Sequence, residues 1–102
     1  MEKTAEITLV SVVHELDSLK QLVERETGTQ TVFCSVKNIT RSEWAATAHR
    51  DLKPALCVTV WADEYAGETV AIFEGNRYGI YRTYQPNSEE VELYLERKAG
   101  AR

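Results

Sequence analysis

Between residues 69 and 84 the chain reads as two strand-like runs, TVAIFE and RYGIYRTY, separated only by Gly75-Asn76. A two-residue connection whose members tolerate positive φ closes a tight antiparallel hairpin and little else. The predicted register sets Glu74 opposite Arg77, Phe73 opposite Tyr78, Ala71 opposite Ile80 and Val70 opposite Tyr81. The first is an opposite-charge pair and the second an aromatic one, both mildly stabilising across an antiparallel ladder. One face of this ribbon offers Val70, Ile72 and Tyr81, and the other Ala71, Phe73, Tyr78 and Ile80. Apolar on both sides, it would expose a large patch if either face stayed in water. A helix or another subunit must cover one side, so self-association is expected.

The rest of the chain is punctuated in the same way. Residues 7–13 (ITLVSVV) are β-branched and nearly apolar on both faces, as in a strand covered on both sides. Residues 31–37 (TVFCSVK) read as a second strand with Val32, Cys34 and Val36 on one face, and residues 55–62 (ALCVTVWA) as a third. Residues 91–96 (VELYLE) alternate strictly, with Val91, Leu93 and Leu95 inward and Glu92 and Glu96 outward. Turns are expected at Thr27-Gly28-Thr29, Tyr65-Ala66-Gly67 and Pro86-Asn87-Ser88. Residues 16–26 allow two readings. Leu16, Leu19, Leu22 and Val23 recur at helical spacing behind a possible cap at Asp17, while the stretch can equally run as an extended arm.

One helix is expected. Thr40 and Glu43 make a T-x-x-E capping box, Ile39 and Trp44 could form a hydrophobic staple across it, and Ala45, Ala46 and Ala48 favour helix. Lys53-Pro54 ends it, because the residue before proline is pushed out of the helical region. The fold class that follows is mainly β: a small antiparallel β-barrel of about six strands in one domain spanning residues 1–102, with a short helix between the second and third strands. At 102 residues the chain is near the lower end of what buries a self-sufficient core.

Composition narrows the function classes. The net charge is −4 and the cations are scattered singly among acids, so no basic stripe for nucleic acid forms. Neither a leader-like segment nor a membrane-length apolar run is visible, and a cytoplasmic protein is expected. Cys34 and Cys57 sit inside apolar strand-like runs and are expected as buried thiols. His14 and His49 lie in different elements, and no spacing among these four residues supports a metal site. The acids Glu89, Glu90, Glu92 and Glu96 read as a solvated face that discourages edge pairing. Trp61 beside Val60 is expected in the core. Trp44 is either the staple partner or an interface anchor. Neither an enzyme nor a cofactor is expected, since no catalytic constellation forms.

The pieces VFC followed by RSEW, then LKPAL, VTV, DEYAGE, EGNRYGIYRTY and ELYLERKAG occur in that order between Val32 and Gly100. This ordered set resembles the phage head-closure family, also called head–tail connector or stopper proteins, in the branch found in Gram-positive phages and prophages. Residues 16–26 depart from the family pattern, with Ser18-Leu19-Lys20 where a glycine-containing turn is usual.

The resemblance implies a small β-barrel that assembles as a ring in the virion neck. Its partners are further copies of itself, the portal and adaptor proteins, tail-completion or tail proteins, and channel DNA held without sequence preference. It also implies that the segment between the second and third strands, residues 40–54, projects towards the channel. The candidate channel-facing residues are then Thr40, Arg41, Glu43 and Trp44, together with His49, Arg50 and Lys53. Two other readings stand beside it: another neck or tail-completion protein, and a small intracellular β-barrel binding module.

Overall fold

The computed structural model describes residues 3–47 and 54–97. Six strands, β1 (Ala5–Leu16), β2 (Leu22–Lys37), β3 (Pro54–Trp61), β4 (Val70–Phe73), β5 (Asn76–Tyr84) and β6 (Glu90–Arg97), form one antiparallel sheet, with helix α1 (Arg41–Thr47) between β2 and β3. The order is β1-β2-β3-β6-β5-β4, and pairing of Thr8–Val10 with β4 returns the sheet to its first strand. The expected mainly β fold with one helix between β2 and β3 is what the chain adopts. Among the described residues, no helix is long and apolar enough to cross a membrane.

Alternation along each strand builds the core. Ile7 and Leu9, Val58 and Val60, and Leu93 and Leu95 are fully buried inside the closed sheet with Val32, Cys34, Ala71, Phe73 and Tyr78. Burying one such aliphatic side chain is worth roughly 1.5–3 kcal/mol. Val91, Leu93 and Leu95 point inward as their period-2 pattern requires. Pro54 opens β3, a strand position where a missing N–H costs no interior ladder bond.

Several local expectations are corrected. The β4–β5 register is Phe73↔Asn76, Ile72↔Arg77, Ala71↔Tyr78 and Val70↔Gly79. The loop residues are therefore Glu74 and Gly75, both left-handed at φ 52 and φ 80, as a primed two-residue turn demands. Each partner moves by two positions, so every side chain keeps its face. Hydrophobic alternation cannot distinguish two registers that differ by an even step. Arg77 consequently pairs with Glu26 at 2.8 Å rather than with Glu74.

Thr27-Gly28-Thr29 is not a turn. Ser11 faces Gly28 while Val12 faces Glu26, so Thr27 is the extra residue of a bulge within β2. The chain reverses instead at Asp17–Gln21, where Asp17 Oδ1 accepts the N–H groups of Leu19 and Gln21 at 2.8 and 2.9 Å. This side chain closes a hairpin loop rather than capping a helix, with Leu16 ending β1 and residues 22–26 extended in β2. Val36 lies opposite the inward Val58, on the same face as Val32 and Cys34 as expected, but at the end of β2 it is exposed.

Trp61 is not a core residue. It follows the inward-facing Val60, so it points outward, and the Lys3 ammonium sits 3.6 Å above its ring centroid. Lys3 also pairs with Glu90, the residue opposite Trp61 on β6.

Candidate functional site

Helix α1 begins as the sequence predicts. The Glu43 N–H donates to Thr40 Oγ1 at 3.2 Å, which is one half of the capping box. The other half does not form, because the Glu43 carboxylate turns to β5. Arg82 donates from Nη2 to Oε1 at 2.7 Å and from Nε to Oε2 at 3.1 Å, and the Tyr81 hydroxyl donates to Oε2 at 2.6 Å. A two-pronged guanidinium bond outcompetes a single backbone N–H.

These contacts belong to a chain of polar groups on the outer side of the sheet. The Arg82 guanidinium carbon lies 3.8 Å from the centroid of the Tyr94 ring. The Tyr94 hydroxyl donates to Glu92 Oε1 at 2.8 Å, and Lys37 Nζ donates to Glu92 Oε2 at 3.0 Å. The Tyr81 and Tyr94 rings meet edge-on with centroids 6.2 Å apart. One network thus ties α1 to β5, β6 and the end of β2.

The electrostatics follow from this pairing. Arg82 beside Glu43 holds its carboxyl below the usual carboxylate range, against the opposing effect of burial. Burial, reinforced by the Glu43 carboxylate, pushes the Tyr81 phenol up, so it stays a donor. Glu43 and Glu92 each already accept hydrogen bonds from a tyrosine and a cation, so this arrangement holds a helix in place. Cys57 sits among the same strands, its thiol pushed up to about 11 mainly by burial. Cys34 is raised to about 11 by burial in the core. Both are free and buried, as expected from their places in apolar strands.

The helix buries little else. Of its residues, Glu43 and Thr47 alone are buried, while Arg41, Trp44, Ala45 and Ala46 face outward. The residues chosen from the sequence therefore divide. Thr40 caps, Glu43 anchors, and Arg41 and Trp44 are surface groups. His49, Arg50 and Lys53 lie outside the described residues. Arg82, Tyr81 and Tyr94 were not foreseen as partners of the helix. Nothing in the spacing of Glu43 and Arg82 brings them together, and the one available signal was that the outward side of β5 needed cover.

A second feature is the β1–β2 arm. Among the described residues, β1 beyond Val10 is paired with no strand but β2, and β2 meets β3 only over Ser35–Lys37. The pairs from Val12↔Glu26 to Leu16↔Leu22 form a two-stranded ribbon, about 17 Å long at about 3.4 Å per residue. At its end Leu16, Leu19 and Leu22 are 66%, 75% and 68% exposed. His14, the other histidine, is on this arm beside Glu24 at 3.4 Å and is exposed. Comparison with known proteins brings no relative to either feature: no family model matches the chain, and no curated protein matches it.

Proposed function

We propose that the chain is a structural part of a long-tailed phage neck, a head-closure protein that docks beneath the portal and adaptor ring and offers a platform to the tail. The observation that carries this reading is the pairing of a self-contained antiparallel sheet with an insert held outside its wall. The insert sits between β2 and β3, the place of the channel segment in some head-closure proteins. Its helix is attached through a charged clamp rather than an apolar face. Such an element can be ordered in one state and displaced in another without disturbing the core. The exposed leucine arm adds a second surface that suits a protein working in an assembly.

In this role the ring forms in the virion neck from subunits made in the host cytoplasm. Residues 40–54 face the lumen, where a net acidic chain tolerates DNA without gripping it. The test is binding of the intact protein to purified portal–adaptor complexes, followed by removal of residues 41–52 in a phage assembly assay. Heads that bind the shortened protein but leak DNA are the expected result. No binding of the intact protein would reject the connector reading. Full DNA retention by the deletion would reject only the channel role of the segment.

A further inference from the structure

We infer that Trp61 and Glu90, with the acidic cleft beside them, form a docking site for a basic segment of a partner protein, and that Lys3 of this chain holds its first position until such a segment displaces it. Two adjoining turns build the site. Trp61 ends β3 opposite Glu90, which opens β6. The chain leaves Trp61 through the short 3-10 turn Ala62–Glu64, and the Ala62 N–H donates to the Glu89 carbonyl at 2.7 Å. In the facing turn Asn87 Oδ1 accepts the N–H groups of Glu89 and Glu90 at 2.8 and 2.9 Å. A cleft of about 450 Å³ is lined by Trp61, Asp63 and Glu64 from one turn and by Ser88 and Glu89 from the other.

The chain itself shows what this place accepts. Lys3 precedes β1, and β2 separates β1 from β3 in the sheet, yet the Lys3 side chain reaches both Trp61 and Glu90. Its ammonium lies 3.6 Å from the centroid of the Trp61 ring and pairs with the Glu90 carboxylate, and the side chain is only 2% exposed. An alkylammonium is thus received by an aromatic face and an acid together, the combination by which proteins bind organic cations. Lys3 fills one position and leaves the rest open. Trp61 remains 41% exposed, and among the described residues no cation pairs with Asp63, Glu64 or Glu89.

These three acids beside a seated cation select the occupant. Among the described residues no group of acids, histidines or cysteines is placed to hold a metal ion. The acids repel nucleic-acid phosphates and anionic lipid alike. A protein segment with several lysines or arginines matches them. Tethering gives Lys3 a high local concentration, so a single lysine side chain competes with it poorly. A segment with two or three cations takes the Lys3 position and gains the cleft acids as well, which makes Lys3 a filter against weaker ligands. The inference adds to the connector reading without resting on it, because the site and its occupant are both on this chain and the measurement needs no neck part.

The experiment uses the full chain and a dye-labelled pentalysine amide, with binding read by anisotropy at low ionic strength. Lys3→Gln empties the first position and should tighten binding about threefold, the worth of an exposed cation–π contact. Glu64→Gln with Glu89→Gln should weaken it about fivefold, as loss of two exposed ion pairs does. Trp61→Leu should weaken it as well. In Trp44→Phe protein, where Trp61 is the one remaining indole, unlabelled peptide should change the emission. Trp44, Trp61, Glu64 and Glu89 are exposed, so these variants should melt close to the parent. Glu15→Gln with Glu24→Gln removes the same charge from the β1–β2 arm and should leave binding nearly unchanged. Equal weakening by the arm and cleft variants would reduce the binding to net charge and overturn the inference. So would Lys3→Gln protein that binds the peptide no tighter than the parent or not at all, or Trp61 emission that stays constant through the titration.

Discussion

Replacing Glu43 by Ala should loosen α1 and leave the barrel intact. The substitution removes three hydrogen bonds, two from Arg82 and one from Tyr81. Hydrogen bonds to charged groups are worth about 1.5–3 kcal/mol when well shielded. Glu43 is 8% exposed, but the Arg82 side chain is 41% exposed and regains water once released. The net cost is then about 1–2 kcal/mol, between the values for surface and buried ion pairs. That loss weighs heavily locally, because a helix of seven residues is far too short to persist alone and turns only Glu43 and Thr47 inward. Hydrogen exchange read residue by residue should show protection of the α1 amides falling about 5–30-fold, with Leu93 and Leu95 on β6 unchanged. The pH dependence has a definite sign. Glu43's pKa is depressed in the folded state, first by the Arg82 hydrogen bonds. Its stabilisation is complete above the ordinary glutamate value of about 4.3 and is lost as pH falls through the lower folded value, so acid should open α1 in the parent but not in Glu43→Ala. Equal α1 protection in variant and parent would refute the clamp. So would equal loss of protection in α1 and β6, since that would make Glu43 part of the core's cooperative unit.

The remaining predictions concern the barrel. Gly75→Val should cost about 1–2 kcal/mol, measured by denaturant unfolding: a Cβ there meets nothing within 4 Å, so the penalty is that of a left-handed backbone at φ 80. Asn76→Val should be tolerated, because Asn76 opens β5, and an Asn76 variant as damaged as Gly75→Val would restore the Gly75-Asn76 loop. Leu93→Ala should cost about 2–5 kcal/mol and lower Tm by at least about 8 °C, as Leu93 is fully buried opposite Val58; a smaller shift would mean the core collapses around the gap. Both thiols, with pKa values raised to about 11, should resist a thiol reagent at pH 8 in the native state and react promptly after denaturation; immediate native labelling of either would contradict its burial.

The amino-acid sequence by itself determined the centres of the strands and the inward residues of β6. The alternation of Val91, Leu93 and Leu95 needed no partner to be read, because side-chain direction in a strand is set by the backbone alone. The start of α1 was legible for the same reason, since Thr40 caps through a bond to a residue three positions away. What depended on distant residues was decided only by the tertiary structure. The even register step at Glu74-Gly75 leaves every face unchanged, so only the fit of β5 between β4 and β6 selects it. Asp17 and the leucines at helical spacing could have served a helix, but pairing of β1 with β2 drew them into an arm. Trp61 turned outward because Val60 took the inward position. Glu43 abandoned its own helix's backbone for Arg82, a residue 39 positions on, because only the folded sheet presents a guanidinium there. Local patterns carry local geometry, whereas the choice between two locally acceptable arrangements belongs to contacts that exist only once the chain has closed.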